Sequence, residues 1–175
     1  MAHAASSDTE FPVSILMERR PKQRDGWHFV EWKAVGVLPG REPAGQAPQQ
    51  QVIYEDKDCR RILWTHFSIR LSKAGAESYW SNLIGEQPSL FVVCRRDEVD
   101  NEERPFLVTV DYEEIVRHQE VDDIVHSVPL FREIHQWLER YVVDNYVPTE
   151  PKRKRKRADY GEPSNVQAPP SERRH

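Results

Sequence analysis

"PVSILMERRPKQRDGWHFVEWKAVGVL", residues 12–38, decides how this chain folds. Val13, Ile15 and Met17 alternate with Ser14, Leu16 and Glu18, the two-residue period of a strand with one face more buried than the other. "RDG" at 24–26 is a turn signal, and "WHFVEWKAVGVL" reads as a second strand. The two strands form a hairpin, with Arg19 and Arg20 expected near its turn. Why an apolar run should end in two arginines and a proline is then the functional question: an edge strand that stops, or a binding surface.

Outward from the hairpin the pattern stays sheet-rich. "PGREPAGQAPQQQ", 39–51, lacks periodicity and reads as a flexible loop. "QVIYED" and "RRILWTHFSIRLS" read as two more strands; in the second, Leu63, Thr65, Phe67, Ile69 and Leu71 share one face, and Ile62, Trp64, His66, Ser68 and Arg70 the other. A helix over about 72–84 follows, with Ser72 as cap, Ala76, Tyr79, Trp80, Leu83 and Ile84 as apolar stripe, and Gly85 as stop. "SLFVVCRR" is a continuous apolar strand expected at the centre of a sheet, and "RPFLVTVDY" its neighbour across the charged loop "DEVDNEE". "YEEIVRHQE" fits a short helix. In "SVPLFREIHQWLERYVVDNYV", Leu130, Ile134, Trp137, Leu138, Tyr141 and Val142 recur at helical spacing, giving a second main helix over about 128–145 with Ser127 as cap and Pro129 in the first turn. Strands outnumber helices and do not alternate with them, so the class is α+β with a mostly antiparallel sheet. The expected organisation is a disordered leader over 1–10, one domain over 11–147 and a disordered basic tail over 148–175.

The 175 residues suffice for one hydrophobic core. No apolar run is long enough to span a membrane, and no basic segment followed by an apolar one marks a secretory signal. Cys59 and Cys94 sit among strand-like residues and read as buried thiols, not a disulfide or metal knuckle. A soluble cytoplasmic protein is expected. The net charge of −4 conceals an asymmetry: residues 151–175 carry eight Lys/Arg against three acids, +5, which leaves −9 on residues 1–150. Eleven acids lie between Asp97 and Asp123. An acidic body with a basic tail implies two electrostatic partners, or a tail lying on its own body.

The motifs that carry chemistry are missing. There is no G-x-S-x-G, no phosphate-cradling glycine loop and no H-E-x-x-H, and the acidic stretch lacks the D-x-D-x-D-G order of a calcium loop. His118 and His126 flank that stretch at a spacing that fits neither one helix face nor a known metal motif. Nothing local marks Cys94 as activated. No enzyme signature, cofactor or metal site is therefore expected. The run Lys152, Arg153, Lys154, Arg155, Lys156 and Arg157 is the most distinctive electrostatic feature. Six consecutive cations can neutralise phosphates, although no aromatics interleave them.

Several separated stretches then converge on one pattern. "FPVSILMERRP" with "WKAVGVLPG", the middle "LSKAGAESYWSNLIGEQPSLFVVCR", and the end "FLVTVDYEE" with "VHSVPLFREIHQWLERYVVDNYVPTEPKRKRKR" resemble, in order, the bacterial family known as domain of unknown function 3305. The resemblance covers about residues 11–157 and implies a bacterial cytoplasmic protein of genes typically found beside those of formate dehydrogenase subunits and their assembly factors. It supplies no reaction, cofactor or catalytic residue. The basic run here is longer than the family pattern, and about eighteen residues follow it. The expectation is a non-catalytic accessory module that binds a protein partner, formate dehydrogenase or its assembly factors; the alternative is a nucleic-acid binder acting through its tail. The residues expected to carry partner binding are Arg19, Arg20, Trp32, Arg95, Arg96 and the Lys152–Arg157 run.

Overall fold

The computed structural model describes residues 7–41 and 45–149; the expectations for residues 1–6 and for the tail from 150 onward lie outside them. Among the described residues the strands are β1 (Glu10–Arg24), β2 (Trp27–Pro39), β3 (Gln49–Glu55), β4 (Arg60–Arg70), β5 (Ser89–Arg96), β6 (Glu103–Thr109) and β7 (Ile124–Pro129). The helices are α1 (Ala76–Leu83), entered through a 3₁₀ turn at Lys73–Gly75, α2 (Tyr112–Gln119) and α3 (Arg132–Asn145). One sheet has the order β2-β1-β4-β3 and the other β6-β5-β7, and all pairings are antiparallel. The class is α+β, as read from the sequence.

The hairpin forms where expected. Asp25 and Gly26 both adopt positive φ, 52° and 81°, the two-residue turn whose twist matches antiparallel strands. Its arginines are placed differently. β1 does not end at Arg20 but runs through Pro21 to Arg24, with Arg19 opposite Trp32 and Arg20 opposite Glu31. β1 pairs with β4 only from Glu10 to Arg19. Beyond that point β1 and β2 have only each other, and the hairpin leaves the sheet as an arm.

One core joins both sheets, because β2 lies beside β7 and β4 beside β6. Val13, Ile15 and Met17 of β1 and Leu90, Val92 and Cys94 of β5 are buried there, with Ile134, Leu138, Tyr141 and Val142 of α3. α2 packs on the other face of the second sheet, where Phe91 meets Tyr112 edge to face with ring centres 6.0 Å apart. Trp137 anchors the chain start: its ring lies 5.2 Å from that of Phe11, and its Nε1–H donates to the Ser7 carbonyl at 2.8 Å. Residues 7–9, read as leader, thus touch the domain. The loop read over 39–51 is bracketed more tightly, by Pro39 closing β2 and Gln49 opening β3. Gly40 has a packing reason: a Cβ there would meet the Val13 backbone nitrogen at 2.9 Å.

Two sequence expectations are corrected. The faces of β4 do not follow strict alternation, since Ile62 and Trp64 are buried together with Phe67, Ile69 and Leu71. His66, at φ 66°, is the cause: β4 uses an extra residue between Trp64 (opposite Ile15) and Phe67 (opposite Val13), and this bulge exchanges the faces. Ser127 and Pro129 do not start the last helix. They close β7, which supplies the second neighbour of the apolar β5, and α3 begins at Arg132.

Leu138 is fully buried in this core, whereas Val143 on the same helix is 76% exposed. Leu138→Ala is expected to cost about 2–5 kcal/mol of stability and Val143→Ala less than about 0.5 kcal/mol, checked by urea unfolding of both variants.

Candidate protein-interaction surface

The residues singled out in the sequence fall on different faces. Side chains alternate along β1, so Arg19 shares the inward face with Met17, and its cross-strand neighbours are the buried Trp32 and Arg60. Arg20 points to the opposite face. There Glu18 is buried between two guanidiniums, Arg20 Nε at 2.5 Å and Arg61 Nε at 2.9 Å. Arg61 also covers the Tyr54 ring at 5.8 Å.

Arg95 and Arg96 likewise take opposite faces of β5. Arg95 donates twice to Asp123, at 2.8 and 3.2 Å, and lies 4.2 Å over the Phe106 ring. Asp123 also meets His118 Nδ1 at 2.8 Å. Arg96 reaches Glu103 at 3.5 Å, and the other oxygen of Glu103 meets His126 Nε2 at 3.0 Å. Each histidine thus shares a buried carboxylate with an arginine, and the two clusters are separate. Among the described residues no group of three or more His, Cys, Asp or Glu could hold a metal ion. Burial pushes the Cys94 thiol far up, with the Glu103 charge adding to it, so this sulfur stays protonated at neutral pH.

An ion pair ties the sheets at this end: Arg60 bonds Glu102 at 3.3 Å, and Arg60 is the register partner of Arg19 while Glu102 precedes the Arg96-bonded Glu103. Arg19 and Arg96 therefore lie toward one end of the two-sheet body, with Arg20 and Arg95 on outer faces. Arg20, Arg95 and Arg96 are each committed to a carboxylate. The Lys152–Arg157 run lies outside the described residues.

What sequence reasoning missed is the arm. From Pro21 to Glu31 every residue is exposed, including Trp27 at 78%, Phe29 at 47% and Val30 at 38%. Cross-strand pairs share a face. Arg24/Trp27, Lys22/Phe29 and Arg20/Glu31 form one face, and Gln23/His28 with Pro21/Val30 the other. The first is a ladder of aromatic rings flanked by cations, the residue types that dominate binding energy at protein interfaces. "WHFV" was the available signal, but a single strand cannot show that nothing covers it. A second opening, a groove of about 590 Å³, lies between β4 and β6 and is lined by His66, Ser68, Arg70, Thr109 and Glu114.

The Glu18 carboxyl is held down to about 2, chiefly by its hydrogen bond to Arg20 and further by Arg61, against the opposing effect of burial. A carboxylate depressed from its ordinary 4.5 contributes stability above that pH and loses it as pH falls toward about 2. Glu18→Gln is therefore expected to lower stability at pH 7 and to flatten the decline between pH 4.5 and 2, read from unfolding midpoints across that range.

Among the described residues no helix is long and apolar enough to cross a membrane. No curated protein and no solved structure matches the chain. A family model described as "Protein of unknown function (DUF3305)" matches residues 12–156, which include the hairpin, both sheets and all three helices. The chain belongs to this family, the proteins of unknown function DUF3305.

Proposed function

We propose that this protein is a non-catalytic accessory module of the cytoplasm that binds another protein through its hairpin arm. The observation that carries the reading is the arm itself, eleven residues solvated on both faces with Trp27 and Phe29 held out beside Lys22 and Arg24. The two-stranded support places both rings on one face, so they meet a partner as a single aromatic patch of the kind that dominates hot spots. The cations speed encounter with an acidic partner, and the rings supply affinity. The sequence resemblance directs the search to formate dehydrogenase subunits or their assembly factors, where a bacterial accessory protein would assist assembly or maturation.

The six-cation run at Lys152–Arg157 supports a second reading, nucleic-acid binding through the tail. It predicts steep loss of binding with salt and complete loss on truncation after Pro151.

The two readings separate in one affinity purification from the native cell under formate-oxidising growth, with nuclease added. The full chain is expected to retain dehydrogenase subunits or assembly factors. A Trp27→Ala/Phe29→Ala variant should weaken that capture by at least about thirtyfold, equivalent to about 2 kcal/mol, as loss of a hot spot does. Undiminished capture by the variant would remove the arm from the reading. Recovery of nucleic acid alone, abolished by the truncation, would replace it with the second.

A further inference from the structure

The faces of the arm and its edges are separate surfaces, and the edges carry their own information. The two-residue turn closes on the pair Arg24/Trp27, which must then be hydrogen-bonded. Alternation makes Lys22/Phe29 and Arg20/Glu31 hydrogen-bonded as well, and Gln23/His28 and Pro21/Val30 not. The Pro12 carbonyl agrees with this phase: it accepts from Gly40 N on the β2 side, so even-numbered residues of β1 face β2 and Pro21 faces away. Proline therefore sits where its missing N–H costs the ladder nothing. On the other side of the arm, the N–H and C=O of His28 and Val30 point out of the hairpin.

Natural sheets blunt open edges with prolines, cations and bulges. The outer edge of β1 in the arm has Pro21 between Arg20 and Lys22. The edge strand β3 has a bulge between Val52 and Tyr54. The outer edge of β2 from Trp27 to Glu31 has none of these: no proline, no lysine or arginine, and an unbroken register through the arm. Its Trp27, Phe29 and Val30 side chains are those of a strand that is paired.

We infer that this edge pairs with the same edge of a second copy of the chain, antiparallel about a two-fold axis at Phe29. That register uses all five residues and is self-complementary, as a two-fold interface must be. His28 and Val30 of one copy exchange backbone hydrogen bonds with Val30 and His28 of the other, and Phe29 faces its own equivalent in a close, non-hydrogen-bonded pair. Charge agrees. Trp27, flanked by Arg24, comes beside Glu31 of the second copy, and no like charges meet on directly opposed residues. The result is a four-stranded sheet made of two arms, with both aromatic ladders on one face. The pairing uses the β2 edge and leaves that face open, so it stands independently of the partner proposed above.

The test uses the full-length chain. Light scattering over a rising concentration series should show a mass approaching twice the 20.6 kDa of one chain. Under mild oxidation Phe29→Cys should give a disulfide-linked dimer, while Gln23→Cys, on the blunted strand, should not; the native cysteines are both buried. Val30→Pro removes an outward N–H without touching a bond inside the hairpin, and should weaken the dimer by at least about tenfold with an unchanged unfolding midpoint. A single-chain mass at every concentration without Phe29→Cys cross-linking would overturn the proposal, as would equal cross-linking at position 23. If Val30→Pro unfolds the arm, the two cysteine variants still decide.

Discussion

β1 outruns the strand beside it. Its fifteen residues pair with β2 along most of their length but with β4 only as far as Arg19. Past the end of β4 the β1–β2 ribbon has no further strand beside it, and from Pro21 to Glu31 every residue is exposed whatever its hydrophobicity. The unequal lengths of β1 and β4 thus convert an ordinary amphipathic hairpin into two structures. Near the root, Met17, Trp32 and Ala34 are core; at the far end, Trp27 and Phe29 are surface. Holding such rings in water forgoes on the order of 1.5–3 kcal/mol each relative to burial, a standing cost that a binding element recovers only when it is covered.

The arginines beside the arm behave in the opposite way. A carboxylate inside a protein is tolerated only when paired and hydrogen-bonded. Glu18, Glu103 and the side chain of Asp123 are buried, and each is held by at least one arginine. These guanidiniums hold strand ends in register and tie the sheets together through Arg60 and Glu102. Arg95 and Arg96 keep these pairings while remaining exposed, and the cations of the arm face pair more loosely, Lys22 with Glu31 at 3.7 Å and Arg24 with Asp25 at 3.8 Å. The acidic stretch from Asp97 to Asp123 divides likewise into acids that stay in water and the two with buried side chains, Glu103 and Asp123, that anchor Arg96 and Arg95.

His66 shows how local conformation can defeat a periodic pattern. Alternation assumes that each residue advances the pleat by one step, and a single left-handed residue breaks that count. Past His66 the odd-numbered Phe67, Ile69 and Leu71 are buried, and before it the even-numbered Ile62 and Trp64, so residues read as sharing one face lie on two.

The sequence by itself determined the class, the hairpin and its turn, the strand identity of β4, β5 and β6, and the helices around residues 76–83 and 132–145, because apolar period and turn chemistry are local properties. It also placed Cys94 in the interior, since a continuous apolar strand has no solvent face. Strand β7 went unread: six residues that end in a proline resemble a helix start until β5 is known to need a second neighbour. Only the tertiary structure decided which carboxylate each arginine meets and which rings are exposed. Both depend on what lies opposite a residue, on strand lengths and on register, and a chain does not state these one residue at a time.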